Sequence, residues 1–388
     1  MNKKKYLALE IIKTLTTNNH KAYFVGGCVR DMVMKKTPSD YDIATDATPG
    51  QIKKLFKKTV SVGAAFGTVL VIKDGASFEV TTLRGRKRDE FSRDPKTDVL
   101  NRDFTINGLL YEPLKRRLLD FCGGKADIKQ RLIRCIGNPI RCFRQDALRL
   151  LRAVRLSSAL GFKIEGHTFG AIKEHKDKIN KASRERIRNE LIEIFTGENP
   201  YLGIRLLDET GLLSIILPEI ESLKGVEQPP RFHPEGDVFT HTMLLIKGLK
   251  KADLLLAFAC LLHDVGKPAT YKKTDRIRFH GHDKVGAKIA EQVLRRLRFS
   301  NNEIGKIAYC VDNHMRIMNA MKMREATLKR MFLKDTFKTE LKLHKLDCLA
   351  SHSDLKIYKF LKRKYEALGK PSYMGIHNNP FNLAVCVI

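Results

Sequence analysis

The chain opens with lysines interleaved with apolar residues at helical spacing, and residues 1–20 are predicted as an amphipathic helix. Short apolar runs follow. Ala22–Val25 reads as a strand ending at Gly26-Gly27. Tyr41–Ile43, Gly67–Ile72 and Ser77–Leu83 read as further strands, with a helix over Thr48–Lys58 between them. Gly85–Asp98 is polar, basic and aperiodic, and is predicted as a loop. From about Asn138 the pattern is helical almost throughout, interrupted by a break at 225–236 that holds Pro229, Pro230 and Pro234. This pattern predicts an α+β multidomain chain: an α/β head at 1–135, a short helical neck and body at 136–225, a second helical domain at 226–355 and a tail at 356–388. The longest apolar run, Leu254 to Leu262, is too short to span a bilayer, so no membrane segment is expected.

Charge changes the picture more than composition does. The chain has 388 residues, 43% of them hydrophobic, which suffices for several cores. Lys and Arg total 72 against 43 Asp and Glu, a formal charge of +29. So large an excess, spread along the whole chain, points to a polyanionic partner whose phosphates it neutralises. The eight cysteines, at 28, 122, 135, 142, 260, 310, 348 and 386, form no Cys-x-x-Cys pair and follow no signal peptide. They read as reduced thiols, and the expected location is cytoplasmic.

The candidate chemistry begins where the first strand ends. Phe24-Val-Gly-Gly-Cys-Val-Arg-Asp31 is followed by Ser39-Asp-Tyr-Asp42. Gly26 and Gly27 permit a sharp turn and close approach to a ligand, and the helix start behind them offers N–H groups to phosphate. Arg30 adds a charge-assisted contact to a triphosphate. On a strand, Asp40 and Asp42 point to one face, and two carboxylates so placed call for a divalent cation, Mg²⁺ being the usual one beside phosphates. Glu79 is the expected third carboxylate. An isolated Asp-x-Asp or Gly-Gly is usually just a turn; their conjunction at this spacing is far more specific.

With these residues the chain resembles the class II tRNA nucleotidyltransferases of the polymerase β superfamily. Further matches follow in order: Arg102-Asp103-Phe-Thr-Ile-Asn107-Gly108 resembles the family's ribose-selecting motif, and Asp120-Phe-Cys-Gly-Gly124 with Asp127-Ile128 its head-to-neck connector. Asp146-Ala-Leu-Arg149-Leu-Leu-Arg152-Ala-Val-Arg155 resembles the nucleotide-selecting helix, and Ser183-Arg-Glu-Arg186-Ile187 the next neck motif. Asp146, Arg149 and Arg152, at i, i+3 and i+6, are predicted to share a helical face and read base edges. The resemblance implies a polymerase-β-like head, with an antiparallel or mixed sheet and helices, ahead of all-α neck and body. It implies addition of CCA, or part of it, to tRNA 3′ ends from CTP and ATP without a template. Asp40, Asp42 and Glu79 would be catalytic, with Mg²⁺ on the two aspartates. Gly26, Gly27, Arg30, Arg102, Asp103, Asn107, Asp146, Arg149, Arg152 and Arg155 would bind nucleotide. The implied partner is the tRNA acceptor stem and 3′ end; no oligomeric state is indicated.

The chain also departs from that family. Gln145 stands where an acidic residue is usual and Asn101 where an arginine is, the end from Tyr373 to Ile388 lacks the usual tail, and the segment between Arg84 and Arg102 is short for a full CCA-adding member. The short segment keeps a CC-adding enzyme as an alternative. Arg84-Gly-Arg-Lys-Arg88 matches the poly(A) polymerase signature imperfectly and ranks poly(A) addition low.

A second chemistry follows the break. The apolar helix Leu254–Leu262 ends in His263-Asp264-Val-Gly-Lys-Pro268, with His241 upstream and His280, His282, His314 and Asp347 downstream. This order resembles the HD superfamily of metal-dependent phosphohydrolases. It implies a site for a divalent transition metal (Mn, Ni, Zn or Fe) on His241, His263, Asp264, His280, His282, His314 and Asp347. The alternative it raises is an HD phosphohydrolase acting on RNA ends or nucleotides.

Overall fold

The structure, a computed structural model, describes residues 3–61, 67–85 and 90–367. Cys386, the end from Tyr373 and residues 86–88 of the signature comparison lie outside the described residues. Helix α1 (Lys3–Thr17) buries Leu7, Ala8, Ile11, Ile12 and Leu15, the apolar stripe that its spacing predicts. The remaining elements of the head are β1 (Ala22–Val25), α2 (Gly27–Val33), β2 (Asp42–Thr45), α3 (Pro49–Leu55), β3 (Thr59–Ser61), β4 (Thr68–Lys73), β5 (Ala76–Thr82), α4 (Pro95–Leu100), β6 (Leu109–Glu112), β7 (Arg117–Asp120) and α5 (Gly124–Gln130).

One seven-stranded sheet runs β3-β4-β5-β2-β1-β6-β7. β2 and β5 pair in parallel, and the other neighbours are antiparallel. The sheet is therefore mixed, as expected, with β1 and β2 at its centre. All four residues of β1 are buried, so it reads as a continuous apolar run. β3, β6 and β7 extend the sheet beyond the strands predicted. β3 is an exposed edge with little apolar signal, and in β6 Leu109 and Leu110 are both buried, which breaks the alternation that marks a half-buried strand.

The predicted loop over 85–98 is corrected at its end: α4 starts at Pro95, because the Asp94 side chain accepts from the N–H groups of Lys96 and Thr97. Helices α6 (Pro139–Gln145), α7 (Arg149–Leu160), α8 (Gly166–His175), α9 (Arg184–Thr196), α10 (Pro200–Glu209), α11 (Leu212–Ile216) and α12 (Pro218–Glu221) follow, with a two-stranded pair, β8 (Leu132–Ile133) and β9 (Lys163–Ile164), beside them. Contacts divide the described chain into two units, 3–190 with 205–215 and 191–204 with 216–367.

The second unit holds α13 (Val238–Lys247), α14 (Leu254–Leu262), α15 (Lys267–Thr270), the hairpin β10 (Lys272–Lys273) and β11 (Ile277–Arg278), α16 (His282–Arg296), α17 (Asn301–Asn313), a 3₁₀ helix (His314–Lys322), α18 (Glu325–Phe332), α19 (Phe337–Ala350) and α20 (Lys356–Ala367). α20 revises the expected tail. Leu361 is fully buried, with Ile357, Tyr358 and Tyr365 packed on the same cluster as Phe332 and Phe337. The dense lysines between them mask that stripe in the sequence. No described helix is long and apolar enough to cross a membrane, and the described cysteines are free thiols.

Candidate functional site

Sheet order places the first site. β1 ends at Val25, paired with Asp42 on one side and Leu110 on the other. Gly26 then turns the chain into α2 with φ 69° and ψ −137°, a conformation that side chains avoid. A Cβ on Gly26 would lie 3.7 Å from Asp42 Oδ2 and 4.0 Å from Arg102 Nη1, so the bend, the carboxylate and the guanidinium share one small space. Asp42 opens β2, and Glu79 stands one residue before the Val80 that pairs with Ile43; the two acids flank the same end of the parallel ladder. Burial, and then the Glu79 carboxylate, push Asp42 up to about 6 against the pull of Arg102.

Asp40 is a correction. The strand begins at Asp42, and Asp40 sits exposed ahead of it, paired with Lys4 of α1, whose hydrogen bond holds its carboxyl below the usual range. Tyr41 turns inward against Phe24, ring centroids 5.3 Å apart, and the ladder with β1 begins only after it, at Asp42. Asp40 still raises Asp42 through its charge, so it stays within electrostatic reach.

The nucleotide-binding candidates form a continuous path from this bend. Arg30 lies over Gly27, donates to Asn107 Oδ1 at 2.9 Å and is steadied by Asp31. Arg102 is locked by two 2.8 Å contacts to Asp98, which also takes the Arg84 N–H. Buried Asp103 accepts from the Phe104 N–H at 2.8 Å, and its Oδ2 lies 3.0 Å from Arg152 in an ionic contact without hydrogen-bond alignment. Burial opposes its charge, yet Arg152, that N–H and Arg149 and Arg102 hold the carboxyl below the usual range. Arg155 donates to Glu190 at 2.6 Å, and Arg152 approaches the same residue at 3.9 Å.

The predicted face shared by Asp146, Arg149 and Arg152 is also corrected. The helix breaks between Gln145 and Arg149. Asp146 lies in the break with φ −150°, accepting from the Leu148 N–H and held by Arg186 at 2.7 Å. Arg149 is buried, donating to Gln145 Oε1 at 2.9 Å and to the Asn101 carbonyl at 2.8 Å. The uncharged Gln145 therefore serves as an acceptor for Arg149. Asp98 and Glu190 went unread in the sequence; Asp98, four residues before Arg102, is the one a helical i, i+4 pairing signal could have found.

The second site gathers side chains from across the second unit. His263 ends α14, and Asp264 follows it. His241 Nε2 lies 3.4 Å from His263 Nε2 and 3.1 Å from Asp347 Oδ1. Asp264 reaches both halves of the cluster, Oδ2 at 3.1 Å from His263 Nε2 and Oδ1 at 3.5 Å from His282 Nε2 and 3.8 Å from His314 Nε2. Their Nδ1 atoms fix the rings. His263, His282 and His314 each donate from Nδ1 to the carbonyl three residues back, those of Cys260, Phe279 and Val311, at 2.9, 2.8 and 2.6 Å. A carbonyl can only accept, so the neutral rings turn an Nε2 lone pair inward. His282 and His314 then face each other Nε2 to Nε2 at 3.2 Å, an arrangement that a cation between them would bridge. Burial pushes His314 down to about 4, keeping it a neutral donor. Burial also works against a charge on His241, but Asp347 and Glu235 raise it to about 9.

These residues fall into candidate metal-binding groups, His241 with His263 and Asp347, and Asp264 with His282 and His314. His280 is the exception: it is exposed on the turn before α16 and joins no group. Glu235, unread in the sequence, receives His233 at 2.9 Å and His241 at 2.6 Å through one oxygen. Lys267 lies buried with its ammonium 2.7 Å from Asp264 and 2.6 Å from Gln228 Oε1. Gly266 permits the cluster: a Cβ there would sit 2.2 Å from the His282 carbonyl oxygen. Gly266→Ala should push α16 away and abolish metal loading at the Asp264–His282–His314 group, measured as bound metal per chain; full loading would show that this close approach is dispensable.

Comparison with known proteins fits this layout. Residues 22–134 match the family model for a poly A polymerase head domain, 161–224 that for a probable RNA and SrmB-binding site of polymerase A, and 237–350 the HD domain. The CCA-adding enzyme of Bacillus velezensis is 40% identical over 230 residues, 57% of this chain and 57% of that enzyme. That of Levilactobacillus brevis is 40% identical over 215 residues, 53% and 54% of the two chains. The chain thus spans little more than half the length of the curated relatives it matches. A crystal structure of the Bacillus stearothermophilus CCA-adding enzyme in complex with CTP superposes with a TM-score of 0.73 at 26% identity, over 95% of this chain and 84% of that one. The Thermotoga maritima CCA-adding enzyme complexed with tRNA shares the fold, with a TM-score of 0.58 at 20% identity over 95% and 82%. In order along the chain, the sequence is therefore similar to a poly A polymerase head domain, a probable RNA-binding site of polymerase A and an HD domain, and over its matched part to CCA-adding enzymes.

Proposed function

We propose that this protein is a tRNA nucleotidyltransferase of the cytoplasm that extends 3′ ends with CCA from CTP and ATP without a nucleic-acid template. The observation that carries the reading is the half-buried Asp42 carboxylate beside Glu79 at the Gly26 bend, with Arg102 across from it. The CTP- and tRNA-bound relatives supply the substrate classes. We assign the head to 1–135, the nucleotide-selecting and RNA-holding helices to 136–225 and the HD domain to 226–355.

The reaction joins the tRNA 3′-oxygen to the α-phosphorus of the nucleotide and breaks the bond to pyrophosphate. Asp42 and Glu79, with Asp40 within electrostatic reach, are the residues that would hold Mg²⁺; the mutual crowding that raises Asp42 is the kind a dication offsets. When bound, the ion supplies charge neutralisation to the triphosphate and lowers the cost of deprotonating the attacking hydroxyl. Gly26 and Gly27 let the triphosphate approach the backbone. Arg30, held by Asn107, and Arg102, held by Asp98, are pre-set cations for its phosphates and sugar, so little reorganisation accompanies the transfer. Asp103 fixes Arg152, and Glu190 fixes Arg152 and Arg155, behind them. Asp146, held by Arg186 at the helix break, offers an acceptor to the base edge in place of a template, and buried Arg149 braces that break through Gln145 and the Asn101 carbonyl. The basic surface holds the acceptor stem by shape and backbone.

Incubating the protein with tRNA lacking its 3′ end, Mg²⁺ and each nucleotide tests this. CTP alone should add two residues, and CTP with ATP one more. No incorporation under any condition would overturn the nucleotidyltransferase reading, and a product that stops at two residues with both nucleotides would assign a CC-adding enzyme.

The facing imidazole pairs support a second activity, a metal-dependent phosphohydrolase in the HD domain. His241, His263 and Asp347 would hold one divalent ion and Asp264, His282 and His314 another, with Mn, Ni, Zn and Fe suited to mixed imidazole and carboxylate donors. Such ions supply a nucleophilic hydroxide at neutral pH. Glu235 orients the His241 ring, and Lys267 offers a cation to a phosphate oxygen.

A further inference from the structure

Three elements of the second unit each place one residue in the imidazole–carboxylate cluster and another on the wall of a cavity beside it. The loop before α13 sends Glu235 to His241 and Phe232 to the cavity. The 3₁₀ helix sends His314 to the cluster and Met318 to the cavity. α19 sends Asp347 to the cluster, with His344 and Cys348 on either side of it lining the cavity. His352, Asp354 and Ile357 complete the wall, and the cavity volume is about 360 Å³. We propose that this cavity is a nucleobase subsite of the HD centre, seating the base of a nucleoside monophosphate whose phosphate lies at the cluster. The inference rests on the phosphohydrolase reading of that cluster.

The lining suits a base. Phe232 is 55% exposed and Met318 42%, large apolar groups held at the surface without cover. A phenyl ring, a thioether and the His344 and His352 imidazoles offer the flat and polarisable surface on which bases stack. Asp354 Oδ1 accepts from the Lys356 N–H at 2.9 Å, and Oδ2, 3.9 Å from the exposed Lys356 ammonium in a loose ion pair, keeps the lone pair that accepts from an exocyclic amine. That favours cytosine, adenine or guanine over uracil.

The surroundings suit a phosphate chain. Arg231 lies over the Phe232 ring at 5.7 Å, a cation beside the cavity. The 3₁₀ helix repeats every three residues. His314, Ile317 and Ala320 are buried on one face; Met315, Met318 and Met321 are exposed on the second; Arg316, Asn319 and Lys322 are exposed on the third. An apolar row beside a basic row complements bases beside phosphates. From His314 to Met318 the helix rises about 8 Å, a nucleoside's reach from base to phosphate. The monophosphate could be a free nucleotide or the 3′ end of a single-stranded RNA.

The test uses the full chain with methyl-labelled methionine, followed by NMR, the Met318 signal being assigned with Met318→Leu. Cytidine 5′-monophosphate should shift that signal saturably, uridine 5′-monophosphate about tenfold more weakly, and ribose 5-phosphate should leave it in place. Phe232→Ala should weaken cytidine monophosphate at least tenfold while CTP incorporation into tRNA, read in parallel as a check on folding, is unchanged. Tighter binding of a short oligocytidylate with a 3′-phosphate assigns the RNA end; equal or weaker binding assigns the free nucleotide. A Met318 signal unmoved by cytidine monophosphate, or moved equally by ribose 5-phosphate, overturns the subsite. A shift that persists in a chain that loads no divalent metal leaves the base subsite standing and sinks the hydrolase reading.

Discussion

Asp42→Asn should abolish nucleotide addition and, in the same protein, make the fold more stable. Incorporation of CTP into truncated tRNA should fall at least about 10³-fold, the scale of losing a group that sets transition-state charge. Stability moves the other way. Folding raises the Asp42 carboxyl from its ordinary value near 3.8 to about 6, so the folded state holds that proton more tightly than the unfolded chain. Ionising Asp42 therefore costs stability as pH rises from about 4 through 6, and the full cost is present above that. At ~1.4 kcal/mol per unit the shift corresponds to roughly 1–3 kcal/mol. Urea unfolding without divalent cations should find Asp42→Asn more stable by that amount at pH 8, with the gap closing as pH falls toward 4. Added Mg²⁺ should stabilise the parent and not the variant. Equal stability at pH 8 would mean that burial and Glu79 do not crowd this carboxylate, and retained incorporation would remove it from the reaction.

Asp264 carries the second large effect. It is buried and touches both halves of the imidazole cluster as well as the Lys267 ammonium at 2.7 Å. Asp264→Ala leaves a buried cation with only neutral partners, Gln228 and the face of the Phe279 ring. The expected loss is about 3–5 kcal/mol, the scale of breaking a buried ion pair from one side. Lys267→Met in the same chain should recover much of that stability, because an apolar stem of similar volume needs no counter-charge. Metal content should fall in both variants and not return in the second. Extension of tRNA by CTP should survive in the double variant, since the head's chemistry lies in other residues. Equal unfolding energies for the single and double variants would show that the ammonium is not what the lost carboxylate leaves uncompensated.

The relation between local pattern and final geometry differs between the two sites. Near Gly26 the run Ala22–Val25 is apolar because the strand is buried on both faces, and Gly26 is the residue whose positive φ makes the bend. His263-Asp264 is equally legible: a fully apolar helix ends just before the pair, and Gly266 and Pro268 open the short helix after it. The order of motifs then named the family before any contact was known. Three placements did not follow. Asp40 lies ahead of the strand, paired with Lys4, Asp146 lies in a helix break, and His280 stays exposed beside its neighbour His282.

Periodicity, capping residues and glycine are local, acting within a turn or a pleat, and so the elements and the chemistry they carry could be read in order along the chain. Which charges meet is a different matter. His241 finds Asp347, Lys267 finds Gln228 and Arg155 finds Glu190 across tens of residues. Those partnerships arise because a buried charge must be paired wherever the packed core brings a partner within reach. Glu190 and Glu235 have no local signature of that duty beyond a carboxylate. Only the folded core, by removing them from water, made them part of a site.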